Sequence, residues 1–402
     1  MAKTPKLAQG RPYLAIPGPS VMPDAVLRAM HRAAPNIYAG ELTEMMPGLV
    51  TDLKRVARTD HHVAMYIGNG HAAWEASLSN VLQPGDRVLV PATGRFGLGW
   101  GQMARSLGLE VDIIDFGRQS PMDMDRIAEA LKADTGHQIK AVLAVHVDTA
   151  TSIRNNIAAL RAVLDSVDHP ALLMADCIAS LGCDVFEMDA WGVDVMVTGC
   201  QKGLMVPPGM AFVFFNDRAE AARARLPRVS WYWDWSPRAH PEEFFQYHGG
   251  TAPTHHLYGL RTALTMIHDE GIEQVWARHL LLARAVWAAC EAWSTAGTFG
   301  MNVADPANRS CAVTALRLQS PHATELRNWV EQELGLTLGI GLGMAEPGDP
   351  ARDGFFRLGH MGHTNGHMIM GLLGGIEAGM RAMKIEHGPG ALEAAADVIA
   401  GV

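Results

Sequence analysis

The 402-residue chain is predicted to be α/β, with a large domain on a mostly parallel seven-stranded sheet and a smaller C-terminal α+β domain. Short, nearly continuous apolar runs recur at 62–67, 86–91, 109–114, 140–147, 171–175, 193–198 and 210–215, as expected of strands buried on both faces. Helical periodicity fills several of the gaps, at 71–82, 98–107, 123–133 and 156–167, which would cover such a sheet on both sides. Beyond about residue 300 the pattern changes to strand (311–317), helix (321–333), a glycine-rich loop, strand (355–358) and helix (364–382).

Before the first strand, residues 10–60 carry Pro17-Gly18-Pro19 and two helical patterns, at 24–32 and 43–57. Residues 254–297 read as two long helices, a natural connector between two cores. The expected division is an N-terminal segment (1–30), a large cofactor-binding domain (31–270), a connecting helix (271–300) and a small domain (301–402). Internal repeats and low-complexity linkers are absent from the sequence.

Composition narrows the function. Hydrophobic content of 48%, charged content of 19% and 41 glycines describe an ordinary folded enzyme. A net charge of −9, without any block of five basic residues, argues against a nucleic-acid partner. The five cysteines form no C-x-x-C pair, and their odd number without a secretory leader points to reduced thiols in a cytoplasmic setting. No run of eighteen apolar residues suggests a membrane span, and the terminal Ile-Ala-Gly-Val is not a peroxisomal address.

The chemistry concentrates at strand ends. Asp176 closes the run Ala171-Leu-Leu-Met-Ala-Asp176, and Lys202 follows Val195-Met-Val-Thr-Gly-Cys-Gln201. Ligands of parallel sheets sit at the carboxyl ends of the strands, so one amine and one carboxylate are expected side by side. That is the pair a pyridoxal phosphate enzyme needs. The amine condenses with the cofactor aldehyde, and the carboxylate keeps the pyridine nitrogen protonated so that the ring accepts electrons. Each residue alone has a plainer reading, as a solvated loop lysine and a helix cap.

Other motifs fit the same reading. Gly68-Asn69-Gly70-His71 joins a strand to a helix and offers backbone N–H groups and a helix dipole to a phosphate. Phe96, in Gly94-Arg95-Phe96-Gly97, is placed to lie over a pyridine ring, or else to cover the sheet edge. Thr149 puts a hydroxyl after the 140–147 strand, although Asp148-Thr149 is also common turn chemistry. Arg357 sits inside an apolar strand, where a guanidinium needs an anion, either a substrate carboxylate or a structural partner. Tyr247-His248-Gly249-Gly250-Thr251 is a polar loop of the kind that completes sites across subunits. Two patterns mislead. Gly339-Ile-Gly341-Leu-Gly343 lacks the spacing and following helix of a dinucleotide fingerprint. His360, His363 and His367 have no carboxylate or cysteine at metal-ligand spacing, so no metal is expected.

Taken in order, Pro17-Gly18-Pro19-Ser20-Val21-Met22-Pro23, Gly68-Asn69-Gly70-His71, Asp176 with Ala179-Ser180-Leu181-Gly182, Thr198-Gly-Cys-Gln201-Lys202 and Phe356-Arg357-Leu-Gly-His-Met-Gly362 resemble the class V aminotransferases of fold type I. The branch most similar is that of the alanine/serine–glyoxylate aminotransferases and pyridoxamine–pyruvate transaminase, over residues 12–382. The resemblance implies Lys202 as the cofactor lysine, Asp176 on the pyridine nitrogen and Phe96 stacked on the ring. Asn69, Gly70, His71 and Gln201 would lie at the phosphate and Thr149 near the ring oxygen. Tyr247, or His248, and Thr251 would reach the phosphate of a partner subunit in a homodimer or higher homo-oligomer. Gly18 and Arg357 would bind substrate, Arg357 as the α-carboxylate clamp.

The implied reaction is ping-pong transamination of glyoxylate to glycine through pyridoxamine phosphate, with small amino and 2-oxo acids as substrates and no nucleic-acid or membrane partner. Aspartate is the favoured donor by resemblance to the β-hydroxyaspartate type of glyoxylate assimilation, ahead of serine and alanine. It would need a second cationic group, for which Arg95 and His248 are candidates. A lyase acting on β-hydroxy amino acids and a pyridoxamine–pyruvate-type transaminase remain as alternatives. A cysteine desulfurase would need a mobile nucleophilic cysteine, and Cys311 opens a strand. A non-catalytic relative would be expected to lack Lys202 or Arg357.

Overall fold

The computed structural model describes residues 6–402. Its large sheet runs, edge to edge, His62–Gly68, Gly209–Phe215, Val195–Gly199, Leu172–Asp176, Ile139–Val145, Arg87–Ala92 and Glu110–Asp115. Only Gly209–Phe215 is reversed, antiparallel to both neighbours. The mostly parallel seven-stranded sheet expected from the apolar runs is therefore present. Leu172–Asp176 and Val195–Gly199 are wholly buried adjacent parallel strands, with Asp176 opposite Val197. Both of their carboxyl ends open on one edge.

Alternation along the strands divides the core in two. Val63, Met65, Leu173, Ala175, Phe212 and Phe214 face one side, where Met46–Ala57, Met124–Ala133, Ile157–Ser166 and Thr254–Glu270 pack. Ala64, Tyr66, Met174, Val197, Val213 and Phe215 face the other, against Gly70–Val81 and Arg95–Ser106. Every strand but the edge strand Glu110–Asp115 buries two rows, which is why its sequence reads as continuous rather than alternating.

A second sheet runs Tyr13–Ala15, Leu336–Ile340, Phe355–Gly359, Val313–Arg317, Gly300–Met301. The expected glycine-rich loop after 333 is here corrected: Leu336–Ile340 is a strand, antiparallel to Phe355–Gly359. Leu336 and Leu338 are buried in the small core, and the chain beyond Ile340 makes the turn. The pattern 43–57 is likewise broken, into Glu41–Glu44 and Met46–Ala57, with Pro47 in the first turn of the second helix. Tyr13–Ala15 reaches from the N-terminal segment to pair in parallel with Leu336–Leu338. Ile272–Trp293 bridges the two cores: Val275 and Trp276 pack with the large one, Leu282 to Trp293 with the small one.

Candidate active site

The site forms where the carboxyl ends of the central strands meet the starts of two helices. Asn69 caps the helix Gly70–Val81, its side chain accepting from His71 N at 3.0 Å. Phe96 is the second residue of the helix Arg95–Ser106, whose first N–H groups are held by a buried carboxylate. Phe96 N and Gly97 N donate to Asp148 Oδ2 at 2.8 and 3.4 Å. A cavity of about 220 Å³ between these elements is lined by Asn69, Gly70, His71, Phe96, Thr149, Asp176, Gln201 and Lys202, together with Trp74 and Ile178. Eight residues from five separate stretches of sequence thus converge on one space.

Asp176 is buried, and its carboxylate is held from two sides. Ile178 N donates to Oδ1 at 2.7 Å and Trp74 Nε1 donates to Oδ2 at 2.9 Å. Burial raises its pKa to about 7, with both hydrogen bonds opposing the rise. Lys202 Nζ donates to the Pro17 carbonyl, and the lysine chain lies against Gly18, where φ is +100° and any Cβ would collide with it. Ser20 closes this strap over the strand end, its Oγ donating to the Lys202 carbonyl at 2.7 Å. Burial lowers the Lys202 pKa to about 8, and the Arg357 charge adds to the effect while Asp176 opposes it. The amine is therefore neutral more often near neutral pH than an ordinary lysine, though still mostly protonated.

Arg357 is buried in its strand. Nη1 donates to the Thr149 carbonyl and Nε to the Ile340 carbonyl, each at 2.7 Å. Burial brings its pKa down to about 10, with Asp148 pulling the other way. Neither Arg357 nor Gly18 lines the small cavity; each reaches it through one contact, Arg357 through Thr149 and Gly18 through Lys202. Arg357 makes no ion pair among the described residues, so its guanidinium keeps its attraction for an anion.

Tyr247 and Thr251 do not line the cavity in this chain. Tyr247 is half-buried in the 3₁₀ turn Phe244–His248, and Thr251 is exposed. His248 is buried inside the protomer, neither ring nitrogen has a partner, and burial then Arg238 lower its pKa to about 3. His248 is therefore poorly placed to reach either a partner subunit or a substrate carboxylate.

Trp74 is a site residue that the motifs missed. Its signal was available, since it lies one turn into the helix that starts at Gly70, on the side facing the strand ends. His360 is no metal ligand, for Nδ1 lies 2.8 Å from the Cys311 carbonyl and Nε2 2.9 Å from Thr314 Oγ1. All five cysteines are free and buried. No helix of the described residues is long and apolar enough to cross a membrane.

The residues present suit pyridoxal phosphate. The cavity offers a partly neutral amine, an anchored carboxylate with lone pairs to spare, an aromatic ring and a helix start, each matching one part of that molecule. Gln201 Oε1 is buried without a partner, an orphan that an occupant could satisfy directly or after rotation of the amide.

A larger cleft of about 1220 Å³ opens from the same His71, Trp74 and Phe96 toward the small domain. Arg95, Arg118, Arg317 and Arg352 all line it. Arg118 is paired with Glu346 at 3.0 Å. Arg95 is exposed and makes no ion pair among the described residues; its stem lies under Gly343, where φ is +72°.

The family model Aminotransferase class-V matches residues 13–349. The chain is 34% identical to serine–glyoxylate aminotransferase of Methylorubrum extorquens over 396 residues, covering 96% of this chain and 95% of that one. It is 33% identical to L-aspartate–glyoxylate aminotransferase of Paracoccus denitrificans, with coverage of 88% and 87%. The crystal structure of pyridoxamine–pyruvate aminotransferase from Mesorhizobium loti superimposes with a TM-score of 0.86 at 25% identity, covering 98% of each chain. A shared fold, a matching family model and relatives aligned from end to end leave one conclusion: the chain belongs to the class V aminotransferases of fold type I, enzymes that work with pyridoxal phosphate.

Proposed function

We propose that the chain transfers an amino group from an amino acid donor to glyoxylate, giving glycine and the 2-oxo acid of the donor. The observation that carries this reading is the placement of Lys202 beside Asp176 at the ends of two adjacent strands, with Arg357 joined to the same cavity through Thr149. Relatives named for serine–glyoxylate and aspartate–glyoxylate transfer support glyoxylate as acceptor.

When bound, the cofactor weakens the donor Cα–H bond and holds the amino group between the two half-reactions. The protein residues do the rest. Lys202 Nζ would hold the cofactor and, once free, would take the proton from the donor Cα and return it when the acceptor is aminated. Asp176 would face the pyridine nitrogen and stabilise positive charge there. Arg357 binds the α-carboxylate that donors and glyoxylate have in common, so one clamp serves both halves of the reaction. Asn69, Gly70, His71 and Gln201 would hold the phosphate, Phe96 the ring face, Thr149 the ring oxygen, and Gly18 the substrate end beside Lys202.

Aspartate is the favoured donor, because Arg95 supplies an unpaired cation in the cleft that adjoins the cavity. Serine and alanine need no such group. We also place Tyr247 and Thr251 against the partner's phosphate in a homodimer, two domains at 31–270 and 301–402 joined by the helix of 271–300, and the enzyme in the cytoplasm. The test is the visible spectrum of the purified yellow protein as aspartate, serine and alanine are added singly without acceptor. Loss of colour with one donor, restored by glyoxylate, names that donor and confirms transamination. A protein that none bleaches rejects the donor set, and one that takes up no pyridoxal phosphate rejects the whole reading.

A further inference from the structure

We propose that His62, Glu220 and His240 form a binding site for one divalent transition-metal ion of the zinc class, away from the catalytic cavity. The ligands come from three elements: the start of the edge strand His62–Gly68, the helix Asp217–Arg225, and the residue ending the short helix Ser236–Ala239. Glu220 Oε1 lies 2.8 Å from His240 Nε2, and Glu220 Oε2 lies 3.3 Å from His62 Nε2. One ligand atom from each of the three falls within 4.8 Å of the others. Around a tetrahedral zinc ion with bonds of about 2.0–2.1 Å, ligand atoms stand roughly 3.4 Å apart. The cluster is thus close to the required spacing, and half-exposed side chains can take up the difference.

The geometry also supplies orientation and a neighbouring carboxylate. The His62 ring stacks on Phe215 with centroids 5.1 Å apart and planes 29° apart, and it lies 4.9 Å from the His240 ring. Packing on one side turns its Nε2 toward the carboxylate. Asp217 Oδ1 lies 3.3 Å from that same Nε2 and 3.4 Å from His61 Nδ1, so a second carboxylate stands beside the cluster. Two imidazoles with carboxylate select zinc, cobalt, nickel or copper over magnesium or calcium, which prefer all-oxygen shells. On binding, each ring gives its Nε2 lone pair to the ion, and the proton that Nε2 presents to the Glu220 carboxylate moves to Nδ1 or leaves to solvent.

The consequence is structural. His62 begins the strand whose other end runs into Gly68-Asn69-Gly70-His71, so an ion here would pin the edge strand to the helix beside it. Because the ligands are 20 to more than 150 positions apart in sequence, no local spacing reveals them.

The test uses untagged holoenzyme stripped with a chelator and dialysed, then titrated with zinc chloride against a chromophoric zinc indicator. One equivalent bound per chain is expected, with magnesium giving none. His62→Ala and His240→Asn should each weaken binding by at least about tenfold. Their cofactor absorbance, unchanged from the parent, shows that they fold, and Glu220→Gln gives a third, nearly isosteric check. The proposal is overturned if the parent binds no zinc at about 100 μM, a concentration that would saturate a micromolar site. It is equally overturned if the His62→Ala/His240→Asn double variant binds as much as the parent.

Discussion

Trp74 Nε1 donates to Asp176 Oδ2 at 2.9 Å, and Asp176 is held on its other oxygen by Ile178 N at 2.7 Å. The indole is itself fixed by stacking on Trp100, with centroids 6.0 Å apart and planes 12° apart. The helix Gly70–Val81 therefore reaches across to orient the carboxylate at the end of the strand Leu172–Asp176. Burial favours the protonated acid, and these two donors offset part of that preference.

Trp74→Phe tests this coupling. The ring remains but the donor is lost, and a hydrogen bond to a charged acceptor contributes about 1.5–3 kcal/mol, or roughly 10–100-fold. Turnover should fall by that order while the fold persists. Equal turnover in Trp74→Phe and the parent would remove Trp74 from the list of positioning residues.

Asp176→Asn should abolish measurable transamination yet relieve a stability cost. The unfolded carboxyl ionises near its ordinary value of 3.8, whereas the folded one keeps its proton to about pH 7. The cofactor-free parent should therefore lose stability relative to the variant as pH rises from about 4 to 7, by an order of a few kcal/mol, and the gap should then level off. Thermal unfolding of both cofactor-free proteins at pH 5 and pH 8 measures it; a gap that does not grow with pH refutes the account.

Cofactor uptake should follow the Lys202 amine. Attack on an aldehyde requires the neutral form, and the folded-state pKa is about 8. The rate of colour development on adding pyridoxal phosphate to cofactor-free protein should rise to about pH 8 and then flatten. A rise continuing to pH 10 would show an amine with an ordinary pKa. Lys202→Ala should bind the cofactor without forming the yellow species.

Arg95→Gln separates the donors. Loss of a cation that meets a second carboxylate should lower kcat/KM for aspartate by about tenfold or more while changing serine and alanine little. A uniform fall for all three would place Arg95 in general positioning, and no change would leave the second carboxylate to another group of the cleft.

Gly18→Ala places a methyl group against the Lys202 chain at a backbone conformation that disfavours side chains. Cofactor content at purification should drop severalfold, with helix content by circular dichroism preserved. Full cofactor occupancy would mean that the strap yields.

Six of the seven strands and their covering helices were legible because each of those strands buries two apolar rows, and that demand writes itself locally as continuous Val, Ile, Leu and Met; the edge strand Glu110–Asp115 shows only its Val and Ile residues between acidic ones. Lys202, Asp176 and Gly68–His71 were legible for a related reason: strand ends and helix starts have few residue types that can serve there. Leu336–Ile340 was hidden by its glycine, and Tyr13–Ala15 by its length, since three residues carry no period of their own. What only the tertiary structure decided is which distant groups meet. Trp74 reaches Asp176, the Pro17 carbonyl accepts a hydrogen bond from Lys202 Nζ, the Thr149 carbonyl accepts one from Arg357, and His62 joins Glu220 and His240. Backbone propensity is a property of neighbours along the chain; a hydrogen bond between residues a hundred positions apart depends on how whole layers pack, and helical periodicity can show which face Trp74 occupies but not which group it meets.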